Sequence, residues 1–126
     1  MKDIIWLGKD ILDGKEKANP PIAAATDKNN IVETTNNRIY YYSEVSRQKI
    51  LTLNKSLKNL NDNLINQAQL LSLDNPANIH LHINSYGGSV FAGLSAVDYV
   101  KSCEVPVITI VEGCAASAAT LFSVVG

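Results

Sequence analysis

A chain of 126 residues fits one domain, and a hydrophobic share of 46% is that of an ordinary globular protein with enough apolar surface to build a core. Lys plus Arg number 11 against 12 for Asp plus Glu, a net charge of −1, which excludes a long-range field that would draw the chain onto nucleic acid or an anionic membrane. The two cysteines, Cys103 and Cys114, read as free thiols of a reducing compartment and not as a disulfide framework.

The amino-terminal stretch MKDIIWLGKDILDGKEK breaks its apolar run at Gly8, Lys9 and Asp10, too soon for a signal-peptide core or a membrane span. The expected setting is therefore the cytoplasm, or the matrix or stroma of an organelle. Residues 1–37 hold no helical or strand period for long and read as an arm or loop, with 38–126 as the folded domain. Arg38-Ile39-Tyr40-Tyr41-Tyr42 predicts a strand from its β-branched and aromatic content, and Ser43 is a candidate helix cap.

Between Ser46 and Leu73 the residues Ile50, Leu53, Leu57, Leu60, Leu64, Ala68 and Leu71 recur at steps of three and four, one stripe on a long helix. Arg47, Lys49, Lys55 and Lys58 read as its solvated face rather than a basic patch. Asp74-Asn75-Pro76 is the expected stop, because the residue before proline resists the helical region. Ile79 to Ile83 alternates as a strand, and Val90, Leu94, Val97 and Val100 form a second helical stripe. The run from Val105 to Val111 is apolar enough for a strand covered on both faces. Ala115 to Val125 predicts a last helix. Strand and helix in alternation argue for an α/β fold with a mostly parallel sheet.

Two strand-to-helix junctions could carry chemistry. Ala115-Ala116-Ser117-Ala118-Ala119 has the small residues that let a chain turn sharply and push one side chain out at the end of a sheet. Unpaired amides at a helix start would favour an oxyanion beside Ser117. Asn84-Ser85-Tyr86-Gly87-Gly88-Ser89 is the second junction, where glycines expose backbone N–H groups to a substrate. Either motif alone is equally met by a tight turn that simply needs small residues.

Together, INSYGGSVFAGLSAVDYV and the EGCAASAA that follows the apolar strand resemble the proteolytic subunit of the Clp protease (ClpP) family, whose motifs are an Asn-Ser-Pro-Gly-Gly turn and a Gly-x-Ala-Ala-Ser elbow. The 29 positions from Gly88 to Ser117 match the family's separation, and the resemblance covers residues 38–126. It implies a ClpP/crotonase-like spiral of βα units, incomplete at its carboxyl end. It implies Ser117 as the catalytic nucleophile, the amides of Gly88 and Ala118 as the oxyanion hole, and Gly87, Ser89 and Val90 as part of the edge that takes an extended peptide. Tyr86 stands where the family has proline.

The resemblance further implies an ATP-dependent serine endopeptidase that forms a ring with ClpP-like subunits and receives unfolded protein substrates from an AAA+ unfoldase. The ATP belongs to that partner, so no cofactor is expected in this chain. The family's general-base histidine and its aspartate lie well beyond the serine, at positions that would fall after Gly126. The expectation is that these residues alone have little activity and that a second chain or a longer one completes the triad. His80 and His82, the two histidines present, share one strand face, and two ligands without a third nearby carboxylate or thiol predict packing and no metal site.

Cys114, Asp98 and Glu112 need only structural or surface roles. A non-catalytic ClpP-like subunit and a crotonase-like acyl-CoA-binding protein remain as alternatives, as do Ser-Lys signal-peptide peptidases of related fold. The glycines at 87, 88 and 93 lack the spacing of a dinucleotide-binding turn.

Overall fold

The computed structural model describes residues 29–126. Strands β1 (Ile31–Thr35) and β2 (Arg38–Tyr42) lead into helix α1 (Arg47–Leu70), followed by β3 (Ile79–Ser85), α2 (Val90–Ser102), β4 (Val107–Ala115) and α3 (Ala118–Ser123). The four strands lie in sequence order, with β1 antiparallel to β2 and the β2–β3 and β3–β4 pairs parallel. This is the α/β architecture with a mostly parallel sheet that the alternation of elements predicts.

One sheet face builds the core. Ile39 and Tyr41 of β2, Ile79, Leu81 and Ile83 of β3, and Val107 of β4 are buried against Leu53 and Leu57 of α1, Ala96 and Val100 of α2, and Phe122 of α3. Full burial of a leucine such as Leu53 contributes roughly 2 kcal/mol, so the α1 stripe is a main anchor of the fold. Phe122 meets the Tyr41 ring edge-on, with centroids 5.5 Å apart. The opposite face carries Arg38, Tyr40, Tyr42, His82 and Glu112.

Several local expectations change. Ile31–Thr35, read from sequence as arm, is β1, joined to β2 through Asn36 in the left-handed region at φ 55°. The rest of the expected arm, residues 1–28, lies outside the described residues. Ser46, not Ser43, caps α1 by accepting from the Lys49 amide at 3.2 Å, whereas the Ser43 hydroxyl donates to the Glu44 carbonyl at 2.8 Å. The helix ends before Asp74-Asn75-Pro76 because Ser72 turns left-handed (φ 55°) and the Leu73 amide returns to the Ala68 carbonyl at 2.8 Å, leaving Leu71 exposed.

Helix α2 buries only the second half of the predicted stripe, Val100 and in part Val97, and completes its inner face with small residues. Ala92, Gly93, Ala96 and Val100 face inward, while Val90 and Leu94 are 54% and 45% exposed. The reason is close approach, since a Cβ on Gly93 would lie 3.0 Å from the Ala118 carbonyl oxygen. Strand β4, expected to be covered on both faces, is an edge strand of the described sheet with Ile108 and Val111 exposed.

Candidate active site

Ser117 lies just past the carboxyl end of β4. The Ala116 amide donates to the Ser85 carbonyl at 3.0 Å, which fastens the elbow to the end of β3. Ser117 itself has φ 52° and ψ −124°, a strained conformation for a residue with a Cβ. It is the N-cap residue of α3, yet its hydroxyl makes no capping bond, and the side chain is exposed. α3 has only six residues, so donors at Ser117 are individual amides more than a helix field.

The loop after β3 packs directly on this elbow. A Cβ on Gly87 would stand 2.6 Å from the Ser117 Cβ and 2.8 Å from the Ala116 carbonyl oxygen, and Gly87 has φ 109°. Only glycine fits there. The Gly87 amide is held by the Ser85 hydroxyl at 3.1 Å. On its outer side the loop pairs with Val45, whose amide donates to the Gly87 carbonyl and whose carbonyl accepts from the Ser89 amide, both at 2.7 Å.

That pairing divides the predicted edge. Ser89 has both main-chain groups engaged, the amide by Val45 and the carbonyl by the Gly93 amide, and its hydroxyl caps α2 through the Ala92 amide at 3.2 Å. Gly87 likewise has its amide and carbonyl occupied. By the alternation of an extended chain, the groups of Gly88 point to the side away from Val45. Neither the Gly88 amide nor the Ala118 amide donates to an acceptor among the described residues. Val90, the first residue of α2, is exposed beside them, and Tyr86 is 83% exposed.

The histidines are engaged elsewhere. His82, 6% exposed, stacks on Tyr40 with centroids 4.6 Å apart, and its Nε2 lies 2.9 Å from an Arg38 guanidinium nitrogen. A guanidinium only donates, so Nε2 is the acceptor and the imidazole proton sits on Nδ1. Nδ1 approaches Glu112 Oε2 at 3.1 Å, off the line of a well-aligned hydrogen bond. The Tyr42 hydroxyl also donates to Glu112, and it chiefly, with His82 and Arg38 adding, holds the Glu112 carboxyl below the usual carboxylate range. The same contact pushes the Tyr42 hydroxyl up. His80 Nδ1 lies 3.4 Å from the Asn37 amide. These contacts are those of packing.

No group of three or more His, Cys, Asp or Glu side chains converges among the described residues. Cys103 and Cys114 are free and half-buried, and burial pushes the Cys103 thiol up. None of the described helices is long and apolar enough to cross a membrane.

Sequence reasoning missed Val45, which pairs with the glycine loop, and the roles of Asn84 and Gly113, which lie inside the two motifs and shape the end of β4. Gly113 was visible as the glycine of the Gly-x-Ala-Ala-Ser pattern, and its φ of 91° explains that residue. Nothing in the sequence near Val45 marks its role.

This geometry has relatives. The family model for Clp protease matches residues 33–126. An ATP-dependent Clp protease proteolytic subunit of Streptococcus mutans is 42% identical over 87 residues, which are 65% of this chain and 43% of that protein. The corresponding subunit of Streptococcus pyogenes serotype M5 is 40% identical with the same coverage. Among solved structures, a mutant ClpP1 from Listeria monocytogenes superposes with a TM-score of 0.56 at 25% identity, covering 69% of this chain and 44% of that one. The ClpP protease catalytic domain from Plasmodium falciparum has a TM-score of 0.54 at 24% identity over 86% of this chain and 50% of that one, a likeness of fold. The chain thus spans less than half the length of the curated relatives it matches. With most of its folded residues inside the family match, including both junctions, this chain belongs to the Clp protease family.

Proposed function

We propose that this chain carries the nucleophile of a Clp-type serine endopeptidase that hydrolyses peptide bonds in unfolded protein substrates. The observation that carries the reading is Ser117, an exposed serine held in a strained turn with its hydroxyl free of capping and a glycine packed against its Cβ. Family membership supports it. In this reading Ser117 Oγ attacks the substrate carbonyl, and the Gly88 and Ala118 amides stabilise the oxyanion. The substrate lies as an added strand along Gly88 and Val90, over a loop that Gly87 and Ser89 hold in place.

A serine hydroxyl needs a proton acceptor within hydrogen-bond reach. Both histidines here are committed to other partners, so the base comes from residues outside these 126, on the same polypeptide or another. Loss of a triad base costs on the order of a millionfold in kcat, as measured in subtilisin, so these residues alone are expected to be nearly inactive. The working form is a ring with ClpP-like subunits in the cytoplasm or an organellar matrix, fed by an AAA+ unfoldase that consumes the ATP.

The test is the intact mass of the native protein after treatment with a fluorophosphonate probe, with Ser117→Ala as the control. Label on a species that contains these residues, lost in Ser117→Ala, supports the nucleophile. A native species that stays unlabelled while a known serine hydrolase in the same sample reacts points to a non-catalytic subunit.

A further inference from the structure

We infer that Asn84 is a positioning residue for Ser117, acting through a bulge in β4 and without touching the reacting hydroxyl. The functional half of this inference rests on the reading of Ser117 as a nucleophile. Strands β3 and β4 run in step from Ile79↔Val107 to Ile83↔Val111, but the next pair is Ser85↔Ala115. Asn84 alone therefore faces Glu112, Gly113 and Cys114, two residues more than an even ladder allows. At about 3.3 Å per residue, those two would otherwise carry Ser117 roughly 6–7 Å beyond its present place against Gly87.

The bulge is held by one side chain. Asn84 Nδ2 donates to the Glu112 carbonyl at 2.7 Å. The amide orientation is fixed by chemistry, because a carbonyl can only accept. Gly113 follows at φ 91°, and a Cβ there would lie 3.0 Å from Asn84 Nδ2, so the amide fills the space in the bend. Immediately beyond, the Ala116 amide closes onto the Ser85 carbonyl. The Glu112 carboxylate is tied separately, to Tyr42 and near His82 on the open face of the sheet.

Only the main-chain oxygen of Glu112 takes part in the bulge contact. The arrangement therefore separates two substitutions that a general loss of stability would not.

Asn84→Asp keeps the shape of the side chain and sets a carboxylate oxygen against the Glu112 carbonyl. Hydrogen exchange on the full chain reads the result as the protection of the Ala116 amide relative to the Leu81 amide in mid-β3. Loss of that bond is expected to lower the ratio about tenfold. Glu112→Gln, which leaves the carbonyl in place, is expected to keep it. Should Asn84→Asp not fold, Gly113→Ala perturbs the same bend and is expected to lower the ratio likewise.

An unchanged ratio in the folded Asn84→Asp chain overturns the inference, as does an equal fall in Glu112→Gln. Fluorophosphonate labelling of Ser117 in the assembled protein, slowed by Asn84→Asp and not by Glu112→Gln, connects the bulge to reactivity. If the unsubstituted protein takes no label, the nucleophile reading fails, while the exchange ratio still decides whether Asn84 positions the elbow.

Discussion

Gly87→Ala is the substitution that tests the contact between the two junctions most directly. At φ 109° the backbone of Gly87 lies where a residue with a Cβ is strained by about 1–3 kcal/mol. The new methyl would also stand 2.6 Å from the Ser117 Cβ, 2.8 Å from the Ala116 oxygen and 3.1 Å from the Ala118 nitrogen. Two of those three atoms belong to the backbone, and the Ala116 amide is anchored to Ser85, so the elbow cannot simply swing aside.

Overpacking of this kind adds about 1–3 kcal/mol, for a combined loss near 4 kcal/mol, a large part of the roughly 5–15 kcal/mol that holds a domain together. Urea denaturation followed by circular dichroism reads this as a midpoint lower by roughly 2.7 M at a slope of about 1.5 kcal/mol/M. A midpoint within about 0.5 M of the parent protein, with unchanged slope, would refute the reasoning, because it would mean that loop and elbow are not in contact.

Other expectations follow from single residues. Ser117→Gly relieves the strain at φ 52° and ψ −124°; after the entropy cost of glycine, a net gain of about 1 kcal/mol should raise the melting temperature by about 5 °C, and a lower one would contradict the strained elbow. Burial first of all pushes the Tyr41 hydroxyl up to about 12 from an ordinary 10.0. The unfolded chain then releases this proton first, so the contribution to stability is complete below pH 10 and is lost as pH rises towards 12. Tyr41→Phe should flatten that alkaline limb in thermal scans, and an unaltered limb would assign it to another group. Phe91 is 84% exposed beside exposed Val90 and Leu94, so Phe91→Asp should change folding stability by no more than about 0.5 kcal/mol. Sedimentation should show weaker self-association if this face meets a second copy of the chain, and an unchanged mass distribution would show that the α2 face takes no part in self-association.

The sequence determined those features that depend on local period and on glycine. The stripe of α1 was legible because Ile50, Leu53, Leu57, Leu60, Leu64 and Ala68 recur at steps of three and four among mostly polar residues, and all six are buried. Strand β3 was legible because its inward isoleucines and leucine alternate with histidines. The order of elements then fixed a mostly parallel sheet, and the glycine and serine motifs marked its two junctions.

Tertiary structure decided the rest. The inner face of α2 could not be read, because that helix is apolar on several sides and what selects Ala92, Gly93 and Ala96 is the distance to α3, a property of the packed helices. Strand β1 is mostly exposed and stands at the sheet edge, so it carries no burial alternation to betray it. The pairing of Val45 with the glycine loop and the bulge opposite Asn84 involve residues 28 to 44 positions apart; the first is joined by main-chain groups alone, and in the second the acceptor is a main-chain carbonyl that no side chain marks. Sequence could name Ser117; only the fold could set Gly87 against it and place the bend that keeps it there.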